Sequence, residues 1–146
     1  MRQTIRIVLC DDDAAGPRLF QEVIGTIDYP VEFISFEDTT QFLRHVTTTA
    51  NVPDLIFLDL NMPDMNGFAC IEFIRAFEHL RHVPIVIHSH IDNPEDEDAA
   101  YALGANLCAP RTFIADDLRQ LIVRVIAAAN KPLLSPETIP ESLYLN

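Results

Sequence analysis

Five short apolar runs, each followed by a stretch with helical spacing, leave this chain few folds to choose from. The runs are Ile5 to Cys10, Val31 to Phe36, Leu55 to Leu58, Ile85 to Ile87 and Ala105 to Ala109. The middle run, Leu55-Ile56-Phe57-Leu58, shows no polar–apolar alternation. Such a run suits a strand covered on both faces, as in a parallel sheet flanked by helices. The intervals carry helical periodicity. Leu19, Phe20, Val23, Ile24 and Ile27 recur after Ala14 or Pro17, and Phe42, Leu43 and Val46 recur before Thr48. Ile71, Phe73, Ile74 and Phe77 are the candidate core contacts of a third helix, Phe68 to Phe77. Asn93-Pro94-Glu95-Asp96 opens a fourth, with a capping side chain, a proline in the first turn and acids facing the helix dipole; Gly104 stops it. Leu118, Leu121, Ile122, Val125 and Ala129 form the stripe of a last helix, Ile114 to Ala129. Glu78 to Val83 reads as a polar connection. Strand–helix alternation repeated in this way predicts an α/β fold, a doubly wound parallel sheet with helices on both faces.

Size and charge narrow the function. At 146 residues with 49% hydrophobic side chains, one core is expected, in a domain over residues 1–130, followed by a proline-containing tail over residues 131–146. The formal net charge of -12 repels phosphate backbones and argues against direct nucleic-acid binding. Cys10, Cys70 and Cys108 are scattered, so neither a disulfide framework nor a zinc site is indicated. The first residues lack a secretory leader pattern and no run reaches membrane-spanning length. A cytoplasmic protein without membrane insertion is therefore expected.

Acids close the runs. Asp11-Asp12-Asp13 follows the first and Asp59 the third, while Ser89 and Arg111 follow the fourth and fifth. Right-handed crossovers bring these ends to one rim of the sheet, where open α/β folds place their ligands. Asp11, Asp12 and Asp59 crowded together repel one another and call for a cation. A hard divalent ion such as Mg2+, which takes carboxylate oxygens, waters and phosphate oxygens, meets that need. Asp59 is then available as a carboxylate nucleophile toward phosphorus. Arg111 and Ser89 would offset and hydrogen-bond charge on the phosphoryl oxygens. The plainer alternatives stay open at this level: the acid run as a helix cap, Ser89 as a loop hydroxyl and Arg111 as a solvated surface residue.

At these residues the sequence resembles the receiver domain of bacterial two-component response regulators. The resemblance is carried by the acids after Leu9-Cys10, by Asp59-Leu60-Asn61-Met62-Pro63-Asp64-Met65-Asn66-Gly67, by Pro84-Ile85-Val86-Ile87 and by Leu103-Gly104-Ala105-Asn106. It spans roughly Ile5 to Ala129. It implies a flavodoxin-like (βα)5 domain of strand order 2-1-3-4-5. It implies that Asp59 is the phosphoacceptor and that Asp12, Asp59 and the Asn61 backbone carbonyl ligate Mg2+, with Asp11 acting through a bound water. It further implies a histidine kinase or phosphotransfer protein as donor, a downstream protein target, and a signalling domain that catalyses only its own phosphotransfer and dephosphorylation. The seventeen residues after Ala129 leave no room for an output domain, so a stand-alone regulator working through protein contacts is expected.

Four positions depart from the family pattern. Arg111 stands for the usual lysine, Thr112 for the proline beside it, His90 for a small residue after Ser89, and Cys108 for an aromatic in the fifth strand. A trans bond at Thr112, a narrowed site mouth at His90 and an altered conformational switch are the corresponding expectations. They also support an alternative function, a phosphorylation-impaired docking module. A phosphatase using an aspartyl intermediate fits less well, because Asn61 occupies the place of its second acid. No phosphate-binding glycine loop follows the first strand.

Overall fold

The computed structural model describes residues 4–62 and 65–129. The proposed tail, residues 131–146, lies outside the described residues. The strands are β1 (Ile5–Cys10), β2 (Val31–Phe36), β3 (Leu55–Leu58), β4 (Ile85–His88) and β5 (Leu107–Ala109). They alternate with α1 (Ala15–Ile24), α2 (Thr39–Thr48), α3 (Gly67–Arg75), α4 (Pro94–Leu103) and α5 (Ala115–Ala129). All pairings are parallel, in the order β2-β1-β3-β4-β5. The doubly wound flavodoxin-like expectation is met.

Strand periodicity splits the core in two. Val8, Cys10, Ile56, Leu58, Ile85 and Ile87 pack with α2, α3 and α4 through Phe42, Val46, Ile71, Ile74 and Ala100. Ile7, Leu9, Leu55, Phe57 and Val86 pack with α1 and α5 through Phe20, Val23, Leu118, Ile122 and Val125. Residues 55–58 are 0% exposed, as their unbroken apolar run requires. Asp38 caps α2, accepting the Thr40 and Gln41 N–H groups. Asn66 and Asn93 do the same for α3 and α4.

Several local expectations change. β5 begins at Leu107 rather than Ala105, because the Ala105 N–H is held by the Ala100 carbonyl at 3.0 Å as α4 ends. Phe73 is 45% exposed and leans on Phe77 rather than entering the core. The polar connection after α3 contains a 3-10 turn, Glu78–Leu80, with Leu80 and Val83 buried. Arg75 organises it. Its guanidinium donates to the carbonyls of Leu80, Arg81, Val83 and Gly104 and to Asn106 Oδ1, at 2.8 to 3.1 Å. These acceptors belong to two connections, α3–β4 and α4–β5, that only the tertiary fold brings together. Gly104, at φ 120°, lies against the Arg75 stem.

Candidate functional site

The strand register sets the site. Cys10 pairs with Leu58, Leu58 with Ile87 and His88 with Ala109, so the residues after each strand converge on one rim. The Asp59 N–H donates to the Cys10 carbonyl (3.1 Å), continuing the ladder one step and fixing where the carboxylate emerges. Two glycines make room. Gly67 opens α3 against the Asp59–Leu60 backbone, and a Cβ there would stand 2.5 Å from Leu60 Cα and 2.9 Å from the Asp59 carbonyl oxygen. Asn66-Gly67 thus serves as cap plus close approach rather than as a left-handed turn. Gly16, buried in the first turn of α1, lies against Asp11, where a Cβ would collide with Oδ2.

Asp59 is held at both oxygens. Oδ1 accepts from Ser89 Oγ (2.8 Å) and from the Asn61 N–H (3.0 Å). Oδ2 accepts from Arg111 NH1 (3.1 Å). Ser89 is oriented in turn, accepting from the Leu60 N–H (3.4 Å) and the Asn61 side-chain amide (3.3 Å). Arg111 NH2 lies 2.9 Å from Asp11 Oδ2 and 3.5 Å from Asp13 Oδ2. The structure thus brings together Asp11, Asp12, Asp59, Asn61, Ser89 and Arg111, as the sequence led one to expect. Asp13 does double duty, since its Oδ1 also accepts the Ala15 N–H at the start of α1.

The chemistry is that of an acidic cluster that could hold a cation. Carboxylate oxygens of Asp11, Asp12 and Asp59 all lie within 4.8 Å of one another. Asp11 is buried and Asp12 exposed, giving one anchored and one solvent-facing oxygen donor. Burial pushes the Asp11 carboxyl above its ordinary range; the Asp13 N–H and Arg111 pull it back down, and Asp59 adds to the rise. Asp11 Oδ2 is buried without an aligned hydrogen-bond donor, because the nearby NH2 group does not point a hydrogen at it. Clustered hard oxygens, one lacking a hydrogen bond, fit a small divalent cation.

The departures resolve individually. The described residues contain no cis peptide, so Arg111–Thr112 is trans. The Thr112 N–H, which a proline would lack, donates to His88 Nε2 at 3.4 Å. His88 is buried at the end of β4, edge-on to Phe20. Burial first, and Arg111 second, push it down to about 4, against a smaller upward pull from Asp59, so the ring is neutral. The acceptor role of Nε2 places the ring proton on Nδ1. His90 does not narrow the mouth. Its side chain is 81% exposed and pairs with Asp92 at 2.8 Å. Cys108 is buried and its thiol is pushed up to about 12, chiefly by burial, so it is a core residue. Its backbone N–H, on the sheet's edge strand, is covered by the Tyr101 hydroxyl of α4 at 3.0 Å. Sequence reasoning passed over Gly16 and Tyr101. Only Gly16 left a signal, as a glycine just before Pro17 at a helix start.

Comparison with known proteins bears on this geometry. A family model described as "Response regulator receiver domain" matches residues 7–123. Response regulator Rcp1 of Synechocystis sp. is 31% identical over 121 residues, covering 80% of this chain and 82% of that protein. Protein RcaC of Microchaete diplosiphon is 28% identical over 129 residues, and there the match spans only 19% of the relative's length. Among solved structures, the phosphorylated cyanobacterial phytochrome response regulator RcpA superposes with TM-score 0.77 at 27% identity, covering 92% of this chain and 99% of RcpA. The Mn2+-bound form of Rcp1 superposes with TM-score 0.72 at 28% identity, covering 81% and 88%. No helix among the described residues is long and apolar enough to cross a membrane.

Proposed function

The chain belongs to the response regulator receiver domain family, and on that footing we propose that Asp59 accepts a phosphoryl group from a histidine kinase or phosphotransfer protein in a Mg2+-dependent reaction. One observation carries the proposal. The buried Asp59 carboxylate is fixed by Ser89 and Arg111 at the rim where Asp11 and Asp12 meet it. An Asp59 oxygen attacks phosphorus, the phosphorus–nitrogen bond of the phosphohistidine breaks, and the imidazole keeps the electron pair and takes up a proton. Water attack on the acyl phosphate later returns the carboxylate and releases phosphate. Asp11, Asp12, Asp59 and the Asn61 carbonyl would hold the cation, with Asp11 contributing through a water. When bound, the cation offsets phosphoryl-oxygen charge as a Lewis acid. Ser89 supplies a hydroxyl donor and Arg111 a guanidinium to the same oxygens.

Receiver domains are phosphoacceptor signalling modules rather than enzymes acting on a separate substrate. The output of this one passes through protein contacts, since its acidic surface repels nucleic acid. The test is intact-protein mass after incubation with acetyl phosphate and Mg2+. A phosphoryl increment on the wild-type chain that is absent from Asp59→Asn is expected. A folded wild-type protein that gains no mass would overturn the proposal. It would favour the docking-module reading, for which the observation is that Arg111 already engages both Asp11 and Asp59.

A further inference from the structure

Arg111 does more in this site than wait for a phosphoryl group. Its two terminal nitrogens reach two different carboxylates, NH1 to Asp59 Oδ2 at 3.1 Å and NH2 to Asp11 Oδ2 at 2.9 Å, with Asp13 at 3.5 Å. Its side chain is only 12% exposed. The outer side of the guanidinium is backed by the Phe113 ring, 5.3 Å from Cζ to centroid. Room for this bridge comes from Gly16, where a Cβ would collide with Asp11 Oδ2 and approach NH2 to 3.2 Å. A planar fork can span two carboxylates in this way; a lysine ammonium is a single point and cannot hold both with the same geometry.

We propose that Arg111 is an internal competitor for the divalent cation, its guanidinium bridging Asp11 and Asp59 and occupying the Asp11 oxygen that would hold the cation's bound water. The inference rests on the reading of Asp11, Asp12 and Asp59 as the metal ligands. The two halves of the bridge are unequal. The Asp59 half is an aligned hydrogen bond. The Asp11 half is charge attraction without an aligned hydrogen, which leaves both Asp11 Oδ2 and Arg111 NH2 short of a hydrogen-bond partner. The Asp11 half therefore yields first, and NH1 keeps its hold on Asp59. The arrangement lowers metal affinity while relieving the repulsion of the crowded acids. Taking the bridge away leaves that repulsion for the cation to relieve.

The test is calorimetric titration of Mg2+ into the full chain, at neutral pH and fixed ionic strength, for wild type, Arg111→Lys and Arg111→Ala. Circular dichroism verifies the fold of each. Both variants are expected to bind Mg2+ about three- to tenfold more tightly than wild type, the equivalent of one ordinary hydrogen bond's net worth no longer competing. Arg111→Lys is decisive, because it keeps the net charge and removes only the fork. If Arg111→Lys binds no more tightly than wild type, the bridge is not a competitor, even if Arg111→Ala binds more tightly through charge alone. Weaker binding by either variant overturns the inference as well. If none of the three proteins binds Mg2+, the reading of the acids as ligands fails first and the inference falls with it.

Discussion

Replacing His88 by glutamine should change how stability depends on pH. His88 is 2% exposed and is pushed down to about 4 from an ordinary value of 6.5. The unfolded chain therefore binds a proton between those limits that the folded chain refuses. Stability must rise with pH across that window; it is fully present above the unfolded value and lost as pH falls toward the folded one. At about pH 5 the imidazole should cost the fold about 2 kcal/mol relative to about pH 7.5, by the linkage relation. Glutamine does not titrate, and its side-chain oxygen can still accept the Thr112 N–H. Urea unfolding of both proteins at the two pH values isolates the effect, because the carboxylates contribute alike to each. The wild type should lose about 2 kcal/mol more than His88→Gln on going to the lower pH. Parallel losses would show that the ring takes up its proton in the fold as readily as in water, and the burial argument would fail.

Three further outcomes follow from the packing. Arg75→Met strips five acceptors of their shared donor and should destabilise the fold by about 2–4 kcal/mol in denaturant unfolding, and Arg75→Lys should recover only a small part; a change below about 1 kcal/mol would contradict the clamp. Gly67→Ala should raise intrinsic helix propensity yet lower the melting temperature, because the new methyl meets the Asp59–Leu60 backbone; a stabilised variant would mean that the loop yields freely. The Cys108 thiol, buried and pushed up to about 12, should resist iodoacetamide in the folded protein at mildly alkaline pH and react only on unfolding, as read by peptide mass mapping; alkylation at a free-thiol rate would show the α4–β5 edge opening readily.

Much of the fold and of the site was legible in the residue order. An unbroken apolar run as short as Leu55 to Leu58, bounded by turn residues, suits a strand with both faces covered, and burial period is a local property of the chain. An acid directly after such a strand must emerge at the sheet's rim, so Asp11, Asp59 and Ser89 could be placed without coordinates. The tertiary structure alone decided what those groups touch. Arg111 meets Asp59 across 52 positions and Arg75 meets Asn106 across 31, and no spacing rule carries such distances. Gly16 and Gly67 are required by backbones and side chains approaching from elsewhere, not by their own torsions. Phe73 shares the helical spacing of the core residues, yet stands in solvent because the neighbouring elements do not extend over it. Periodicity fixes which face of an element is apolar; only packed neighbours fix which atoms meet, because contact energies depend on separations of a few ångströms between residues far apart in the chain.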